Sequence, residues 1–284
     1  MLTIILKIEL LMKNKITVII TGHYVDNFDT YLKYLIHSMG DILKECRYIL
    51  YYDKSSFTDL NEINKINKVL DLYGIVDYEI KVQNGGLLSA FYYMLQDIKT
   101  DYFLFLEHDW VFTKLPDFKS IINALDNHNF VKCIKFKKIG NIKKQLNSTI
   151  DSDGTPLPFE TDIRVNEIKL IQACYWSNNP FVCRLDTMKE WSKNFIKENT
   201  IIKIKSDKLK MGSRGIEEVM IKLFVNDLKM NSWSKIKDKW GVYLYGDVGD
   251  EPLIAHTDGS NRYKGLPEKN GIEWIEKNKK NVLQ

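Results

Sequence analysis

The sequence predicts an α/β fold in which a mostly parallel sheet is flanked by helices. Two observations predict it. From residue 16 to residue 109, short apolar runs alternate with stretches whose apolar residues recur at helical spacing. The chain is also long enough: 284 residues, 44% hydrophobic and 27% charged, suit one large globular domain with a substantial core.

The elements follow in order. "ITVIIT" (16–21) reads as a buried strand, and "NFDTYLKYLIHSM" (27–39) as a helix. "RYILYYD" (47–53) is a strand, and "DLNEINKINKVLDLYG" (59–74) is a helix that stops at Gly74. "YEIKVQ" (78–83) is a short strand, "LLSAFYYMLQDI" (87–98) a helix and "DYFLFLEHD" (101–109) a strand. The second half is less regular. "KCIKFKK" (132–138) alternates like a half-exposed strand, and residues 140–170, with two prolines and a "DSDG" turn, read as a long loop. "LIQACYW" (170–176) resembles a strand, "LDTMKEWSKNFI" (185–196) a helix and "KWGVYLYGD" (239–247) a late strand. "SRGIEEVMIKLFVNDL" (213–228) is a helix with Met220, Ile221, Phe224, Val225 and Leu228 on one face.

Charge and cysteine content exclude some classes. The net charge of +4 is mild and the lysines are scattered, which gives no nucleic-acid footprint. Cys46, Cys133, Cys174 and Cys183 have no CxxC spacing and read as reduced thiols of a cytoplasmic protein. "MLTIILKIELLM" is broken by Lys7 and Glu9, is too short to span a bilayer and has no cleavage site. Residues 1–12 are therefore an extension with three readings open: an upstream start, an extra strand or helix, or a peripheral membrane contact.

In a parallel sheet, ligands bind beyond the carboxyl ends of the strands. The polar residues there are Thr21, Gly22 and His23, then Asp53, then Asn84, then Glu107, His108 and Asp109. Glu107 and Asp109 stand at i and i+2, so a continuing strand would point both the same way. Two such carboxylates repel unless a cation, such as a divalent metal carrying phosphate oxygens, lies between them. The plain alternative is a strand ending in solvent. "QNGGLLSA" (83–90) lets the backbone approach a ligand at Gly85 and Gly86, or is a simple strand-to-helix turn. "SRGIEEVM" puts Glu217 and Glu218 in a helix's first turn, where they suit either the helix dipole or general-base work. His256 in "PLIAHTDG" is a surface or core residue, or an imidazole ligand for Mn2+ beside a carboxylate. "CYWSNNPFVCRLD" (174–186) gathers groups that suit a sugar: an aromatic face and the amides of Asn178 and Asn179. Its alternative is a core tryptophan beside a turn.

Taken in order, these pieces resemble a GT-A-fold glycosyltransferase of the inverting family-2-type group. "NGGLLSAFYYMLQDIKTDYFLFLEHD" carries most of the likeness, being similar to the family's run from Asn-Gly through a helix and strand to a D-x-D motif. "ITVIITGHY", "YILYYDKSSFTD" and "GIEEVM" carry the rest, over residues 16–258. Two departures stand out. The D-x-D is Glu-His-Asp here, and the base motif has Glu at both candidate positions.

The resemblance implies a single domain over residues 13–284, with a nucleotide-sugar half (13–112) and an acceptor and base half (113–284). It implies transfer of a sugar from a nucleotide-diphosphate sugar to a hydroxyl of a glycan, glycolipid or glycoprotein, with Mn2+ or Mg2+ as cofactor. Asp109, Glu107 and His256 would hold the metal. Thr21, His23, Asp53, Asn84, Glu107 and His108 would contact the donor. Trp176, Asn178 and Asn179 would line a sugar pocket. Alignment on Gly215 puts the base at Glu218, with Glu217 beside it. A retaining transferase and a non-catalytic carbohydrate-binding protein of the same fold are the alternatives. A nucleotidyltransferase would need a Gly-rich, Arg/Lys-containing loop after the first strand, and "TGHYVDNFDT" has none.

Overall fold

A strand at the centre of a covered sheet must be apolar on both faces. Two segments meet that demand over most of their length: β1 (Ile16–His23), in which Thr17 and Thr21 are buried beside the apolar residues, and β4 (Tyr102–Glu107). They pair in parallel in the middle of a computed structural model, which describes residues 12, 14–23, 28–53, 60–83, 86–138, 160–173, 176–193, 216–231, 233–257 and 269–283. Asn84 lies outside the described residues, as do the side chains of His23, Asp53 and Glu218.

The chain continues from β1 through α1 (Phe28–Met39), β2 (Arg47–Asp53), α2 (Leu60–Leu72), β3 (Tyr78–Gln83) and α3 (Gly86–Asp97) to β4. After β4 come β5 (Trp110–Phe112), α4 (Phe118–Asn127), β6 (Cys133–Lys135), β7 (Glu160–Val165), β8 (Ile168–Gln172) and β9 (Phe181–Arg184). Residues 185–193 form α5. Then follow α6 (Ile216–Met230), α7 (Trp233–Trp240), β10 (Val242–Tyr245), β11 (Ile254–His256) and α8 (Lys269–Leu283).

Nine strands form one sheet in the order β3-β2-β1-β4-β9-β6-β10-β8-β7. Only β9 and β8 run against the rest, so the sheet is mostly parallel. Alternation along β1, β2 and β4 sends Val18, Ile20, Leu50, Tyr52, Leu104 and Leu106 to the face covered by α1, α2 and α4. Ile19, Ile49, Tyr51, Phe103 and Phe105 go to the face covered by α3, α5, α6 and α7. The second sheet is the antiparallel pair β5–β11, on which α8 packs through Trp274, Ile275 and Val282. Among the described residues no helix is long and apolar enough to cross a membrane. Cys46, Cys133 and Cys183 are free and buried, while Cys174 is outside the described residues.

Three expectations change. The strand expected over 101–109 ends at Glu107, and a turn at His108 and Asp109 follows. The long loop expected over 140–170 gives way by residue 160 to the hairpin β7–β8, which turns at Asn166 with φ 54. Asn tolerates that left-handed conformation. Finally, β6 is not half exposed: Ile134 and Lys135 are both fully buried, because helices cover both faces.

Candidate functional site

The carboxyl ends of four parallel strands are brought level by register. His23 is opposite Asp53, Asp53 opposite Gln83, and Thr21 opposite Glu107. The His108 amide continues this join, donating to the Thr21 carbonyl at 2.9 Å. The Thr21 hydroxyl donates to the Leu106 carbonyl at 3.3 Å and is buried, so it ties β1 to β4 from within.

His108 is not where donor contact would need it. Its ring stacks on Phe28 with centroids 4.9 Å apart, meets Tyr31 edge-on and is buried beneath α1. Gly22 makes room for this packing. A Cβ there would lie 2.2 Å from the Phe28 ring and 3.2 Å from His108 Nδ1.

Asp109 belongs to a different part of the fold from Glu107. After the turn the chain leaves the large sheet and pairs with β11, so that His256 lies opposite Trp110. The ladder extends one residue further: the Asp109 carbonyl accepts from the Thr257 amide at 2.8 Å and hydroxyl at 2.9 Å. This brings His256 Nδ1 to 3.4 Å from Asp109 Oδ2. Trp110 covers the imidazole, with ring centroids 3.6 Å apart, and the Lys138 ammonium is 5.5 Å from that indole. Burial pushes the Asp109 carboxyl up, but the His256 and His108 imidazoles beside it outweigh burial and hold the carboxyl below its usual range.

These two donors fit a divalent cation. The other oxygen of Asp109, Oδ1, is buried without a hydrogen-bond partner, as an oxygen reserved for a ligand would be. Mg2+-type sites are commonly held by one or two carboxylates, with substrate phosphates and water supplying the rest. Glu107 does not complete the set. Among the described residues no cluster of three His, Cys, Asp or Glu could hold a metal. The strand ends between Glu107 and Asp109, so the alternation that would point both the same way does not extend to Asp109.

On the other side of the sheet, α6 begins at Ile216, and half-buried Glu217 stands in its first turn. Trp176 is corrected. It is 1% exposed, packed edge-on against Phe181 and Trp191, and has no open face for a sugar. The two residues after Ser177 are half-buried: Asn179 donates to the Phe136 carbonyl at 3.4 Å, and Asn178 Oδ1 is itself buried without a hydrogen-bond partner. Lys135, which sequence reasoning missed, is fully buried between this segment and α6. The alternation in "KCIKFKK" gave it a solvent-facing place.

No family model matches the chain. No curated protein matches it in sequence. Solved structures do. GalNAc-T7 with UDP, GalNAc and Mn2+ superposes with TM-score 0.52 at 13% identity, over 92% of this chain and 47% of that one. The mannosyltransferase PcManGT from Pyrobaculum calidifontis, with GDP-Man and Mn2+, gives 0.43 at 10% identity, over 62% and 46%. A cytidylyltransferase from Leptospira borgpetersenii gives 0.43 at 11%, over 94% and 96%. The chain thus spans less than half the length of the two glycosyltransferases. The likeness to GalNAc-T7 is one of fold, and with the observed strand order it gives this chain a GT-A-type fold.

Proposed function

We propose that this protein is a glycosyltransferase that moves a hexosyl or N-acetylhexosaminyl group from a nucleoside-diphosphate sugar to a hydroxyl on a glycan, glycolipid or glycoprotein. A UDP-sugar is the favoured donor. The observation that carries the reading is the Asp109–His256 pair, joined by β5–β11 at the carboxyl edge of a GT-A-type sheet. The presence of UDP, GalNAc and Mn2+ in the GalNAc-T7 structure supports it.

The chain's residues divide the work. Asp53 and the Thr21–His23 edge border the nucleoside. Asp109 and His256 would hold Mn2+ or Mg2+, which neutralises charge on the diphosphate leaving group when bound. Glu107 borders the donor ribose. Asn178 and Asn179 hydrogen-bond sugar hydroxyls. Glu218, or Glu217 beside it, accepts the acceptor hydroxyl's proton as that oxygen attacks the anomeric carbon from the face opposite the diphosphate. One displacement inverts that carbon. The test is thermal unfolding with UDP, GDP, CDP and dTDP, each with and without Mn2+. UDP should raise the midpoint in a Mn2+-dependent way, and no shift with any of the four would overturn the reading.

A further inference from the structure

Lys135 has no part in that scheme, yet it is the least expected residue of the core. It closes β6 with its side chain fully buried, on the sheet face that carries Phe105 and Trp176. Its lateral neighbours are Phe181 on β9 and Leu244 on β10. An apolar residue would satisfy that position without the desolvation penalty of an ammonium. The ammonium is held instead by Ser177, donating to its carbonyl and, at 2.5 Å, to its hydroxyl. It also lies 4.8 Å from the Trp176 ring centroid. The titratable groups facing it are Cys133 on its own strand, Cys183 opposite Cys133 on β9, and Glu217 on α6.

We propose that Lys135 is a positioning residue of the candidate site, whose ammonium pins the 176–179 segment to the sheet and sets its charge against the Glu217 carboxylate. The proposal rests on the transferase reading. Through Ser177 the ammonium fixes the backbone that carries Asn178 and Asn179. Burial pulls the Lys135 pKa down to about 7, against the opposing pull of Cys133 and Glu217. The cation is therefore present in acid and lost as pH rises through that value.

The test measures UDP release from UDP-glucose, UDP-galactose, UDP-N-acetylglucosamine and UDP-N-acetylgalactosamine, with Mn2+, from about pH 6 to pH 9. It uses the full chain and follows the donor turned over fastest. Lys135→Met should lower kcat roughly tenfold, with KM for the donor within about twofold of wild type. The wild-type rate should fall as pH rises through about 7. That limb should vanish in Lys135→Met and move to higher pH in Lys135→Arg, whose guanidinium stays charged. A Lys135→Met chain with the wild-type kcat and pH profile overturns the proposal. Release of UDP from none of the donors overturns the transferase reading instead. The charge pair is then judged on unfolding midpoints. Glu217→Gln should destabilise the wild-type chain more than the Lys135→Met chain, and equal effects overturn the pair.

Discussion

The two halves of the large sheet are held by different means. From β3 to β4 the strands are parallel, their connections carry helices, and the core side chains are almost wholly apolar. Polar groups gather at the carboxyl edge. From β9 to β7 the strand directions are mixed, and cations enter the interior. Lys135 and Lys137 are buried, and Lys137 donates to the Asp247 carbonyl. Arg184 donates to the Leu125 carbonyl and, at 3.1 Å, to the Val131 carbonyl. The first half is organised by non-directional burial of patterned apolar side chains. The second is organised by directional bonds from long side chains to carbonyls of distant segments. Asp109 and His256 belong to neither half: they meet on the separate pair β5–β11, where the chain has left β4 and a strand from near the chain's end returns to it.

The strongest way to break this comparison is at the seam. β4 pairs with β1 on one side and β9 on the other, and Phe105 is fully buried there. Its ring meets Phe91 and Phe181, each at a centroid distance of 5.1 Å. Phe105→Ala should cost about 3–5 kcal/mol in denaturant unfolding. Hydrogen exchange should show β1 and β10 losing protection together. Loss confined to one half would mean that the halves unfold independently.

The next effect tests the Asp109–His256 pair. Asp109→Asn removes the charge that a cation would need, yet Asp109 Oδ1 has no hydrogen-bond partner to lose in the free protein. Its Oδ2 does face His256 at 3.4 Å, which favours the ionised carboxyl, so the variant should lower the ligand-free midpoint slightly and lose roughly a hundredfold in Mn2+-dependent UDP affinity. Unchanged affinity by calorimetry would remove Asp109 from metal binding. Smaller again is Gly22→Ala, confined to the first half. The added methyl must push Phe28 and with it His108, and should cost about 1–3 kcal/mol. An unchanged midpoint would show that the α1–β1 contact is looser than its geometry.

These contrasts explain what was legible in the sequence. β2 over 47–53 and β3 over 78–83 are found where their apolar runs put them, because each strand there is a local pattern bounded by turn residues. The second half hides its elements. β9 is four residues long and lies within a stretch that reads as a sugar-binding cluster. Lys135 imitates a solvent-facing residue because alternation reports side-chain direction and says nothing of what covers that face. Asp109 and His256 were both singled out, but their contact depends on the three-residue pairing of β5 with β11, which has no local signature. Glu107 was placed with Asp109 on strand periodicity, and a two-residue turn breaks that periodicity.

The smallest expected effect lies at one helix end in the second half. Asp117 precedes α4 and caps it, its Oδ1 accepting from the Ser120 amide at 3.1 Å and its Oδ2 from the Ser120 hydroxyl at 2.7 Å. Asp117→Ala frees one amide in the first turn, where water can replace the lost acceptor because Asp117 is exposed. The cost should be about 1 kcal/mol. It should also stay local. The buried face of α4, through Phe118, Ile121, Ile122 and Leu125, remains in the core and keeps the helix docked. If Arg184 clamps the end of α4 through the Leu125 carbonyl, as the bonding in this half implies, fraying after Asp117→Ala should stop within the first turn. Hydrogen exchange that spread from Ser120 to Leu125 would show that burial alone, without that clamp, holds the helix.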